Sequence, residues 1–111
     1  MTEKYIKDGQ VAVAYSPGFG AGWSTWESNN DLKDTMVFHP DIIKMILDGR
    51  QSQIDEDWLV EHFGSEYERV YTGGAYKLKI EWIKVGTPFR IDEYDGSEHV
   101  IKLQDDKIYI A

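Results

Sequence analysis

From Tyr76 to Val85 the chain reads Tyr-Lys-Leu-Lys-Ile-Glu-Trp-Ile-Lys-Val, and this alternation constrains the fold more than any other feature. Tyr76, Leu78, Ile80 and Trp82 fall on one side and Lys77, Lys79 and Glu81 on the other, a period of two that a helix cannot use. The pattern predicts a long strand with one buried face, and such a strand needs partners. Gly86-Thr87-Pro88 turns the chain. Phe89–Tyr94 and Ser97–Leu103 then flank Asp95-Gly96, a dipeptide suited to the tight turn of a β-hairpin. Counting outward from that turn sets Ile91 opposite Val100, Asp92 opposite His99 and Glu93 opposite Glu98. A last strand over Lys107–Ile110 is expected to fold back across Asp105-Asp106, with Leu103 opposite Ile108.

The first half supplies the cover. Gln10–Tyr15 is a short apolar run bounded by Gly9 and Pro17 and reads as a strand. A helix is expected to open at Pro40, where a missing N–H costs nothing, and to stop at Gly49. A second should start after Asp55 as N-cap, with Trp58, Leu59, Phe63 and His62 on its inner face, and end at Gly64. The expected class is α+β: a mainly antiparallel sheet, made of the N-terminal strand and a C-terminal meander, with two short helices packed on one side. At 111 residues the chain has room for one domain, 1–111.

Composition narrows the chemistry. Twelve Lys and Arg against twenty Asp and Glu give 12 − 20 = −8, and the pI is about 4.7. Such a surface repels nucleic acid, which is held by cations that displace phosphate counterions. The lack of cysteine excludes disulfides, thiolate metal sites and thiol catalysis. No apolar run reaches the roughly 18 residues of a membrane helix. His39, His62 and His99 have no metal-ligand spacing, so neither metal nor cofactor is expected.

The most unusual local feature is Ser16–Trp26, where Gly18, Gly20 and Gly22 alternate among Phe19, Trp23, Ser24 and Trp26. Successive free amides in such a loop can cradle an anion. The spacing is neither that of a phosphate loop nor that of a dinucleotide fold. Core packing is the expectation for Trp26 more than for Trp23. The binding candidates are Gly18, Phe19, Gly20, Gly22, Trp23, Ser24 and Trp26, with Asp92 and His99 as a secondary pair. Asp92 facing His99 would favour the imidazolium, or fix one tautomer of the neutral ring. Glu93 facing Glu98 reads as a solvated like-charge pair beside a tight turn. No catalytic constellation emerges.

Val11–Tyr15 running into Gly18-Phe19-Gly20, together with Ile80–Gly86 and Phe89–Glu98 with its Glu-Tyr-Asp-Gly-Ser-Glu hairpin, resembles a family of small phage and prophage proteins. The likeness covers roughly a third of the chain at its two ends. It implies a shared fold and a phage setting, and brings no catalytic residues. The expected function is therefore that of a non-enzymatic accessory protein in the cytoplasm of an infected bacterium, binding and modulating a host protein such as a defence component. The alternative is a small-ligand protein that holds a nucleotide or sugar with the Gly18–Trp26 loop, its pocket deepened by homo-oligomerisation.

Overall fold

The computed structural model describes residues 2–18 and 22–103. Strand β1 (Ile6–Lys7) turns back through Asp8 and Gly9, both at positive φ, into β2 (Gln10–Tyr15). This is a second Asp-Gly hairpin, with a first strand too short to betray itself by alternation. β2 pairs antiparallel with β3 (Lys79–Lys84) over its whole length, from Gln10 opposite Lys84 to Tyr15 opposite Lys79. The order β1-β2-β3 leaves β2 central.

Three α-helices lie between β2 and β3 in the chain. α1 (Asn30–Phe38) is capped by the Asn29 side chain, which accepts from the amides of Asp31 and Leu32. α2 (Pro40–Leu47) has Pro40 in its first turn and His39 as N-cap, the imidazole Nδ1 accepting from the Asp41 amide at 3.1 Å. α3 (Glu56–Phe63) is capped by Asp55, whose carboxylate accepts from the Trp58 amide at 2.8 Å, and Gly64 ends it at φ +113. The expected boundaries of α2 and α3 hold, and α1 adds a helix that the apolar pattern did not announce.

The α+β class holds, with one change in how the strands are arranged. β4 (Phe89–Tyr94) and β5 (Ser97–Lys102) form a separate two-stranded sheet, so the C-terminal meander is broken after β3. Gly86, at φ +88, turns the chain off the edge of the first sheet there, and Pro88 brings no N–H to a ladder. The hairpin register is the expected one: Ile91 opposite Val100, Asp92 opposite His99, Glu93 opposite Glu98. The expected strand 76–85 starts later. Tyr76 and Lys77 belong to a 3-10 turn, Ala75–Lys77, and Tyr76 points to solvent. The expected strand Lys107–Ile110 and its Leu103–Ile108 pairing lie outside the described residues.

β2 is buried on both faces because two different layers cover it. Ala12 and Ala14 face the helices and share a core with Ile42, Ile43, Leu59, Met36, Leu78 and Trp23. Val11 and Val13 face the other way and pack with Ile83 and Val37, against Phe89, Ile91 and Val100 of the hairpin. The fold is thus helices, sheet and hairpin in sequence, and the loop after β2 runs where the hairpin meets the sheet.

Candidate functional site

The loop that follows β2 is organised around one buried carboxylate. Glu98, at the start of β5, is 0% exposed. Its Oε1 accepts from the Ser16 amide at 2.9 Å. Its Oε2 accepts from the amides of Trp23 and Thr25 at 2.8 and 3.0 Å, and from the Thr25 hydroxyl at 2.6 Å. All four contacts are donors, so the side chain acts only as an acceptor, the pattern of a carboxylate. Around it the Glu98 amide donates to the Ser16 carbonyl at 2.8 Å, and the Ser97 hydroxyl donates to the Pro17 carbonyl at 2.7 Å. The Ser16 hydroxyl donates to the Gly74 carbonyl, also within the buried interior. The loop does hold an anion, and that anion is the chain's own Glu98. The donors are the amides flanking the glycines.

This corrects the reading of Glu93 and Glu98 as a solvated pair. They are opposite in register, yet only Glu93 is exposed, its carboxylate accepting from the Gly96 amide inside the turn at 2.7 Å. Glu98 turns inward because donors from a loop more than seventy positions away in sequence saturate it.

The two tryptophans exchange their expected places. Trp23 is 0% exposed, and its indole N–H donates to the Met36 carbonyl at 2.8 Å. It is a core residue tied to α1 by its polar edge and cannot meet a partner. Trp26 is 42% exposed and stacks at 4.7 Å, tilted by 43°, on Tyr71, which is also 42% exposed. Gly22 lies beneath this pair: a Cβ there would sit 2.6 Å from the Trp26 ring. Gly74 is equally tight, for its Cβ would come within 2.3 Å of the Gly22 carbonyl. Ser24 is buried, at the wall of the groove between α1 and β4. Gly18 is half-buried beside the Lys77 side chain. Phe19 and Gly20 lie outside the described residues.

The secondary pair, Asp92 and His99, is opposite in register as expected, and each side chain has a further contact on its own strand. Asp92 is exposed and pairs along its own strand with Arg90, Nε to Oδ1 at 2.9 Å. His99 is exposed, with Nε2 at 3.5 Å from the Ser97 hydroxyl. The other histidines are occupied elsewhere. His39 caps α2. His62 is exposed rather than on the inner face of α3, stacking on Trp58 at 4.0 Å with its Nδ1 at 2.8 Å from the Trp58 carbonyl. Among the described residues no three His, Asp or Glu side chains converge as metal ligands, and no helix is long and apolar enough to cross a membrane.

Tyr67 is buried and packed at 5.4 Å on Phe63. Burial pushes its hydroxyl above the usual tyrosine range, and a hydrogen bond with Thr35 pulls the other way. The carboxylates of Glu66, Asp31 and Glu27 add to the upward push. Tyr15 is likewise raised, by burial first and by Glu81 second. Beside the loop, a groove of about 350 Å³ runs between α1 and β4, lined among others by Thr25, Lys33, Asp34, Phe38 and Phe89. It is open and at the small end of the size range of ligand sites. No family model, curated protein or solved structure matches this chain.

Proposed function

We propose that this protein acts by binding another protein, without catalysis, through the surface formed by Trp26 and Tyr71. One observation carries this reading: Trp26, 42% exposed, stands on a loop that is fixed from inside by the buried Glu98 carboxylate, and its ring stacks on that of Tyr71, equally exposed, from a second segment. Aromatic anchors on a rigid support are the side chains that dominate interface energies, because little entropy is lost in ordering them. The resemblance to phage proteins makes a host bacterial protein, including a defence component, the class of partner, met in the cytoplasm of the infected cell.

The test is capture from bacterial lysate by the wild-type chain and by a Trp26→Ala/Tyr71→Ala chain. Both side chains are half in solvent, so the fold should survive their loss. A hot-spot pair should cost at least about 2 kcal/mol, roughly thirtyfold in affinity. Capture that is unchanged by the double substitution would remove the reading.

A small-ligand protein is the second reading, favoured by the groove beside Thr25. The amides of Ser16, Trp23 and Thr25 are already bonded to Glu98, which leaves that reading fewer free donors for a phosphate. A thermal shift with nucleotides or sugars would revive it.

A further inference from the structure

β3 ends the first sheet on one side, and its outer edge has no ladder partner among the described residues. Which of its main-chain groups point outward follows from alternation. The Ala12 amide donates to the Tyr5 carbonyl on the β1 side of β2, so Val11, Val13 and Tyr15 turn their N–H and C=O groups toward β3. Their partners Ile83, Glu81 and Lys79 therefore point inward, and the Val85 amide, bonded to the Gly9 carbonyl, keeps the same parity. Ile80 and Trp82 are left with main-chain groups directed away from the sheet. Their side chains lie on the helix side, half-buried against the core. An edge of this kind invites another strand, and lysines are a common guard against it. Lys79 and Lys84 are exposed here, but Glu81 stands between them. Among the described residues Glu81 has one ion-pair contact, with Lys102 at 3.8 Å, and Lys79 has none.

A second copy of β3 laid antiparallel on this edge must match outward residues with outward residues. The two-fold axis then passes through a residue, and Ile80, Glu81 and Trp82 are the positions that let most of the strand overlap. An axis at Glu81 sets Glu81 against its own copy, a like-charge pair. An axis at Trp82 sets Glu81 opposite Ile83 and Lys79 opposite Val85, so no charge is matched. An axis at Ile80 sets Lys79 opposite Glu81 twice, in positions where antiparallel side chains come closest. Leu78, just before the strand and already extended (φ −56, ψ 136), then faces Trp82, so apolar meets apolar on the helix side. We infer that the chain forms a two-fold dimer through β3, with Ile80 on the axis, Lys79–Glu81 pairs on either side of it and one sheet, β1-β2-β3-β3-β2-β1, running through both copies. The lysine that repels a foreign strand is matched by Glu81 of the second copy in this register alone. Neither Trp26 nor Tyr71 takes part.

The test is sedimentation equilibrium of the full chain from about 1 µM to about 1 mM, the range of a small interface. The mass should rise toward twice the 12.8 kDa of one copy. Lys79→Glu and Glu81→Lys chains each put two like-charge pairs into this register and should dimerise about tenfold more weakly. Both side chains reach solvent, so the fold should survive. Mixed one to one, the two variants restore both opposite-charge pairs, and the mixture should recover the wild-type dissociation constant. In the wild type, hydrogen exchange of the Ile80 and Trp82 amides should slow as concentration rises. A chain that stays at 12.8 kDa throughout overturns the dimer. Fast exchange of both amides would then show an edge guarded by its lysines, and slow exchange at every concentration an edge covered from within the chain. A dimer that neither substitution weakens, or a mixture no tighter than its components, places the contact elsewhere and overturns the inference as well.

Discussion

The two faces of β2 are held by different means. On the helix side, Ala12 and Ala14 let α2 come close, and the contact is mostly apolar, with Ile42, Ile43, Leu59 and Met36 fully enclosed. On the hairpin side, Val11 and Val13 meet a thinner cluster in which Phe89, Ile91 and Val100 are only partly covered. What that side lacks in apolar area it makes up with a buried carboxylate and four charge-assisted hydrogen bonds. The helix layer is bound by area, which tolerates small shifts. The hairpin layer is bound by direction, and that sets the position of the loop carrying Trp26.

The largest expected effect breaks the directional side. Glu98→Ala would leave three main-chain N–H groups and one hydroxyl without their acceptor, at a cost of about 3–5 kcal/mol. Glu98→Gln keeps the shape but turns an NH₂ group toward a donor on one side, and should cost about 2 kcal/mol. Urea unfolding of both variants measures this. A loss under about 1 kcal/mol for Glu98→Ala, a neutral hydrogen bond's worth, would mean that the apolar cluster alone holds the hairpin.

A smaller effect sharpens the apolar side. Ala12→Val adds two carbons where α2 and α3 close over the sheet, and overpacking there should cost about 2 kcal/mol. If the variant proves as stable as wild type, the helices are not packed as closely as Ala12 and Ala14 imply.

Much of this architecture is legible in the sequence because its determinants are local. The Asp95-Gly96 turn sets a register that residue counting recovers, and Pro40, Gly49, Asp55 and Gly64 mark two helices by backbone chemistry alone. α1 escapes because it shows only Leu32, Met36, Val37 and Phe38 as apolar positions and starts in a polar run. Asn29, able to cap, and Leu32 and Met36, one turn apart, are the signals that would have found it. The loop was recognisable as unusual, and its glycines as places of close approach. Which tryptophan faces inward was not. That depends on the Met36 carbonyl and on Glu98, seventy-five positions from Trp23, and no periodicity encodes such a pairing.

The smallest predicted effect reads the two sides through one titration. Tyr67 belongs to the helix-side core, and its hydroxyl is raised by burial and then by Glu66, Asp31 and Glu27. In the unfolded chain its pKa returns to about 10. The folded form therefore keeps its proton to higher pH than the unfolded form does. The stability this confers is complete below about pH 10 and is lost as pH rises through the folded value. The urea midpoint should fall as pH rises above about 10, and less so in a Tyr67→Phe chain. Neutralising Glu27, Asp31 and Glu66 together should lower the phenolate transition followed by ultraviolet absorbance without bringing it back to the free value, because burial is the larger cause. A transition that does not move would show that these carboxylates lie too far from Tyr67 to act on its hydroxyl.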